Sequence, residues 1–118
     1  MNKLFKDPWF YFWIAVIVLI IYLVFPKSPP GQYDELASCL TEKGVVMYGT
    51  DWCPHCKNQK AMFGNSFKKI NYVNCDFNVA ECKNKGVTGY PTWIINGESY
   101  AGEQSLVKLA SLTGCSVN

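Results

Sequence analysis

The stretch Thr50-Asp51-Trp52-Cys53-Pro54-His55-Cys56-Lys57 constrains this chain more than any other. Two cysteines separated by two residues follow an apolar, β-branched run, Val45-Val46-Met47-Tyr48. The run reads as a buried strand. Pro54 suits the first turn of a helix, where its missing N–H is no loss. The pair therefore falls where a strand gives way to a helix, with Cys53 at the N-cap and Cys56 one turn further in. Unpaired N–H groups and the positive end of the helix dipole face an N-cap sulfur and stabilise its thiolate. Cysteines so placed have pKa values as low as about 3.5–7. Disulfide exchange needs a thiolate that attacks and a second thiol that resolves the mixed disulfide. The stretch thus predicts a redox pair, Cys53 and Cys56, whose only cofactor is its own disulfide.

Neighbouring residues tune such a pair. His55, the only histidine, can donate a hydrogen bond or place a positive charge near the Cys53 sulfur. Either favours reduced Cys53 and makes the disulfide a better oxidant. Trp52 is read as an apolar lip or as plain packing, and Asp51 as a solvated charge. Further on lies Tyr90-Pro91. A proline after an extended segment can take a cis bond, which lets the adjacent backbone approach the sulfurs and receive a substrate strand. Cys-x-x-Cys also occurs at zinc sites, and Cys75 with Cys82 would complete a set of four ligands. The preceding strand and Tyr90-Pro91 favour redox chemistry instead, so no metal is expected.

Ahead of this region, Trp9 to Phe25 carries no charge, amide, glycine or proline. That is the low end of what spans a bilayer as a helix. Trp9, Tyr11 and Trp13 at one end and Tyr22 at the other suit membrane–water interfaces. The run closes on Val24-Phe25-Pro26-Lys27-Ser28-Pro29, a poor signal-peptide cleavage site. The expected organisation is a short flank (1–8), a single transmembrane anchor (9–25), a proline-rich linker (26–32) and one domain (33–118). Lys3 and Lys6, with Asp7, precede the span and Lys27 follows it. This small bias favours a cytoplasmic amino terminus and an extracytoplasmic domain, on the periplasmic or thylakoid-lumen side. Six cysteines in 118 residues agree with an oxidising compartment. From Gly31 onward eight lysines balance eight acidic residues, and arginine is absent throughout. No nucleic-acid-binding surface is expected from such a balance.

Periodicity predicts an α/β domain: a small mixed central sheet flanked by helices. Helices are expected at Asp34–Lys43, at Cys53 or Pro54 to about Phe63 (Met62 and Phe63 inward, with a break at Gly64-Asn65), at Val79–Lys85 and at Glu103–Leu112. Strands are expected at Val45–Tyr48 and Ile70–Asn74. Thr92–Ile95 and Glu98–Tyr100 form a hairpin, since Asn96-Gly97 suits the positive-φ positions of a type I′ turn. Cys75 and Cys82 can be a structural disulfide, an electron-relay pair or two free core thiols. Pairing Cys39 with Cys115 would close a loop nearly as long as the domain, worth at most about 4.5 kcal/mol in the chain-entropy model.

TDWCPHC (50–56) and GYPTWIING (89–97) resemble the thioredoxin superfamily, and the Pro-His dipeptide looks like that of DsbA-type periplasmic oxidants. A narrower likeness takes in YGTDWCPHCKNQKAMFG, YVNCDFN and ECKNKGVTGYPTWIINGESYAGEQSLVKLASLTGC. These are similar to the thioredoxin-like domain fused to, or partnered with, bacterial and plant vitamin K epoxide reductase homologues. The resemblance implies a thioredoxin-like fold, Cys53 and Cys56 as the active pair, Pro91 as the cis-proline, and Cys75 and Cys82 as a second pair. It implies a protein-oxidising thiol–disulfide oxidoreductase, reoxidised by a quinone-linked membrane partner of the vitamin K epoxide reductase or DsbB type. Here a single anchor stands in place of the membrane catalyst, so the partner would be encoded separately. Common thioredoxins carry a buried acid six residues before the first cysteine. This chain has Met47 there, so Cys56 lacks that proton acceptor. Two other readings stand beside this one: an extracytoplasmic reductase, as in cytochrome c maturation, and a tethered module that binds metal or thiols without turnover.

Overall fold

A four-residue strand, β1 (Val46–Gly49), organises the domain. In the computed structural model, which describes residues 6–25 and 30–117, it pairs in parallel with β2 (Asn71–Asn74) and antiparallel with β3 (Thr92–Ile95). Strand β4 (Glu98–Ala101) pairs antiparallel with β3, giving the sheet order β2-β1-β3-β4. The parallel step from β1 to β2 is made by α3 (Pro54–Phe63) and a 3-10 turn at Gly64–Lys69. Helix α2 (Asp34–Glu42) precedes the sheet, α4 (Val79–Asn84) joins β2 to β3, and α5 (Leu106–Thr113) follows β4. The mixed sheet with helices around it is the architecture that the alternation of apolar runs and helical spacings calls for.

Side-chain alternation sorts each strand between two apolar layers. Met47, Trp93 and Ile95 join Leu36, Leu40, Cys53, Cys56, Phe63 and Leu109 in the main core. Their sequence neighbours Tyr48 and Ile94 face the other way, onto Cys75, Cys82 and Val87 beside α4. The hairpin closes on Asn96 and Gly97 with φ of 52° and 79°, both in the left-handed region that the turn requires.

Two local expectations are corrected. Met62 does not face inward; it is 37% exposed, and Gln59 is fully buried. Cys56, Gln59 and Phe63 form the buried stripe of α3, and Met62 lies off that stripe. The last helix starts at Leu106 rather than Glu103. Ser105 is its N-cap and accepts from the Lys108 N–H at 3.1 Å. The Gln104 N–H is already committed to Gln59 Oε1 at 2.7 Å. Gln59 also accepts from Trp93 Nε1 at 3.1 Å and donates to the Gln104 carbonyl at 2.9 Å. One buried amide thus ties α3, β3 and the loop before α5 together.

The N-terminal apolar run forms α1 (Pro8–Val24), with none of its residues buried. Its 17 residues measure about 25 Å at the α-helical rise, short of a hydrocarbon core of about 30 Å. Among the described residues no helix is long and apolar enough to cross a membrane. Lys3, Lys27 and most of the proline-rich linker (26–29) lie outside the described residues.

Two disulfides cross-link the domain. Cys39–Cys115 joins α2 to the segment after α5 across 76 positions, and Cys75–Cys82 spans seven. A domain of this size has a thin margin of core burial, so cross-links matter. The Cys39→Ser/Cys115→Ser variant is expected to lose up to about 4.5 kcal/mol, against about 2.5 kcal/mol for Cys75→Ser/Cys82→Ser, because loop entropy grows with loop length. Urea denaturation of the two variants, without reductant, checks that order.

Candidate active site

Cys53 occupies the N-cap of α3 with an extended backbone (φ −70°, ψ 124°), and Pro54 is the first helical residue. Cys56 follows in the first turn. Both are free thiols; Cys53 is 6% exposed and Cys56 fully buried. Gly49, at the end of β1, makes room for this turn. A Cβ there would sit 2.8 Å from Cys56 Sγ, closer than real atoms approach.

The two sulfurs differ in acidity. Burial disfavours ionisation of Cys53, but the backbone N–H of Cys56, the Cys56 thiol and the backbone N–H of His55 all hydrogen-bond its sulfur. Together they hold its pKa below the ordinary thiol value, while the Glu103 carboxylate pulls it upward. This is the free N-terminus of a helix acting on a sulfur at its cap. Cys56 has no such advantage. Burial pushes its thiol up to about 11, the Cys53 sulfur adds to this, and the Thr50 backbone and the Lys60 charge offset only part.

Several residues singled out in the sequence converge here. The Tyr90-Pro91 bond is cis, and the Tyr90 carbonyl accepts from the Cys53 thiol at 3.6 Å. Trp52 is 62% exposed, meets the Tyr90 ring edge-on at 6.3 Å and donates from Nε1 to Asp76 at 3.0 Å. It is a lip held in place at both its apolar and its polar edge. Cys75 and Cys82 lie next door, lining a groove with Asp76, Val79 and Tyr90. Among the described residues no group of three or more His, Cys, Asp or Glu side chains is placed to hold a metal.

The imidazole of His55 has a partner of its own: Nδ1 lies 2.9 Å from Glu103 Oε2. Only the backbone N–H of His55 meets Cys53. The imidazole thus contacts the carboxylate that opposes the Cys53 thiolate. Glu103 itself gave no sequence signal, since fifty positions and a loop separate it from Cys53. Asp51 is not a lone solvated charge either. It accepts from Lys60 Nζ at 3.0 Å, Tyr72 OH at 3.1 Å and Asn74 Nδ2 at 3.0 Å, and these partners hold its carboxyl below the usual range, Lys60 most of all.

Iodoacetamide alkylation across pH is expected to show Cys53 reacting below the range of a free cysteine, which is near about 8.5, and losing reactivity only as pH falls through its lowered pKa. Glu103→Gln should shift that profile further down, because an opposing charge is gone. His55→Ala should shift it up, because Glu103 is then unmasked. Equal profiles for all three proteins would show that this ion pair does not act on Cys53.

The thioredoxin family model matches residues 29–112. Thiol-disulfide oxidoreductase LTO1 of Arabidopsis thaliana is 40% identical over 92 residues, covering 70% of this chain and 24% of that protein. Protein disulfide isomerase-like 2-2 of Oryza sativa subsp. japonica is 36% identical over 80 residues, covering 56% and 22%. This chain thus spans less than a quarter of the length of either relative. The solution structure of oxidised thioredoxin from Plasmodium falciparum is similar at a TM-score of 0.42 and 20% identity, covering 68% of this chain and 88% of that one. Because the family match covers residues 29–112, well over half of the chain and the whole sheet, the chain belongs to the thioredoxin family.

Proposed function

We propose that the chain is a protein thiol–disulfide oxidoreductase working as an oxidant, with Cys53 and Cys56 as its reacting pair. The carrying observation is the placement of two free thiols at one helix start: Cys53 at the N-cap of α3, 3.6 Å from the Tyr90 carbonyl, and Cys56 fully buried in the first turn behind it. A substrate thiolate attacks Cys53 of the disulfide, and Cys56 leaves with the electron pair. A second substrate thiolate then attacks the substrate sulfur of the mixed disulfide, and Cys53 leaves. Two electrons and two protons pass to the pair, and the substrate gains one disulfide. A stable Cys53 thiolate favours the reduced pair, which is what makes its disulfide oxidising.

The Tyr90 carbonyl beside Cys53 and the exposed ring of Trp52 packed on Tyr90 suit an extended polypeptide as substrate. Two disulfides outside the reacting pair support an oxidising, extracytoplasmic compartment. The apolar surface of α1, exposed along its length, and its aromatic ends support attachment to a membrane. Reoxidation then falls to a quinone-linked membrane partner, of the vitamin K epoxide reductase kind that the sequence resemblance suggests.

Cys56→Ser is expected to accumulate mixed disulfides through Cys53 in cells, resolved on non-reducing gels. A trap that captures no protein would count against the reading. The reduction potential of the pair decides direction: a value close to about −120 mV fits an oxidant, and one close to about −270 mV would assign the chain to reduction instead.

A further inference from the structure

Taking Cys53 and Cys56 as the reacting pair, exchange in either direction passes through a Cys56 thiolate. Cys56 leaves as a thiolate when an incoming sulfur opens the disulfide, and attacks as one when it resolves a mixed disulfide. Yet its side chain is fully buried. Met47, equally buried in the same apolar cluster, offers no group that could take the proton. Something else must make that ion tolerable.

Lys60 lies four residues beyond Cys56 on α3, so the two share one face of the helix a turn apart. Helical side chains lean toward the N-terminal turn, which carries the lysine toward the sulfur. Its ammonium is held on several sides: 3.0 Å from Asp51 Oδ1, 4.1 Å from the centre of the Tyr72 ring and 5.6 Å from that of Phe67. The Tyr72 ring and Cys56 Sγ both lie within 3.4 Å of the point where a Gly49 Cβ would stand. The ring that carries the cation thus borders the sulfur across a glycine. We propose that Lys60, fixed by Asp51 and by the face of Tyr72, is the charge that stabilises the Cys56 thiolate in place of the missing buried acid.

Asp51 does not cancel this charge. Its side chain is 67% exposed against 27% for Lys60, so water screens the carboxylate more than the ammonium. The carboxylate is also shared with Tyr72 and Asn74. Other titratable groups near the two sulfurs are Tyr72 on β2, Asp76 after β2, His55 in the first turn of α3 and Glu103 in the loop before α5. When the Cys56 thiol ionises as a nucleophile, its proton passes to solvent. The Cys53–Cys56 bond forms, the Cys53–substrate bond breaks, and the substrate sulfur leaves with the electron pair and is protonated.

The test is alkylation of Cys56 across pH in the full chain carrying Cys53→Ser, which needs no substrate, partner or turnover. It therefore reads this proposal even if the oxidoreductase reading fails. Adding Lys60→Met, which keeps the stem packed on the rings, is expected to raise the Cys56 pKa by about one unit, a roughly tenfold loss of thiolate at a given pH. Lys60→Arg should stay within about twofold of the parent, because a cation remains. Asp51→Asn/Lys60→Met should stay slow. An unchanged titration for Lys60→Met, or a parental one for the double variant, would overturn the proposal; the latter would lay the effect on an unpaired Asp51. Should Lys60→Met fail to fold by circular dichroism, Lys60→Gln gives the same reading.

Discussion

Hydrogen bonds from the first turn of α3 to the Cys53 sulfur are the interaction on which the rest of this structure depends. They exist because β1 ends in Gly49, whose missing side chain lets the helix start pack against the strand with Cys56 beneath it. They are free to meet its sulfur because Cys53 sits at the cap, outside the helical ladder that consumes the later N–H groups. A helix start that faced away from the cis Tyr90-Pro91 segment would have the same dipole and no place for a substrate backbone. Cys53 has both, with the Tyr90 carbonyl 3.6 Å from its sulfur.

Two side-chain pairs flank the two sulfurs, and each couples a basic side chain of α3 to an acid from another element. His55 meets Glu103 on the Cys53 side, and Lys60 meets Asp51 on the Cys56 side. The arrangement is asymmetric in its effect. Near Cys53 the helix N–H groups already stabilise the thiolate, and the acid opposes them. Near Cys56 burial dominates and the cation opposes it. The acidity difference between the thiols is therefore set mainly by depth and by the helix start, and the side-chain pairs trim it.

Holding this geometry in a domain with four four-residue strands takes more than apolar burial. Gln59 contributes a buried polar joint between α3, β3 and the loop before α5, and removing it would leave the Trp93 and Gln104 donors unpaired in the core, at about 1–3 kcal/mol. The long disulfide joins the start of the domain to its end. The short one sits in the second apolar layer, behind β1 and beside the groove that Tyr90 shares. Each constrains the sheet from a different face.

Strand and helix order, the Asn96-Gly97 hairpin and the placement of Cys53 at a helix start were all legible in the residues, because each rests on short-range chemistry: alternation, turn residues, a proline in a first turn. The inward face of α3 was less so. Gln59 carries no sequence signal for burial, because the Trp93 and Gln104 groups that hold its amide are distant in sequence. The same holds for Glu103, which approaches the active pair only through the path of the β4–α5 loop, and for Asp51, whose three donors come from α3 and β2. Composition and spacing determined which chemistry this chain can carry. Which charges stand beside each sulfur was decided only when the sheet brought separate segments together, since a pairwise electrostatic contact leaves no periodic trace in the chain that makes it.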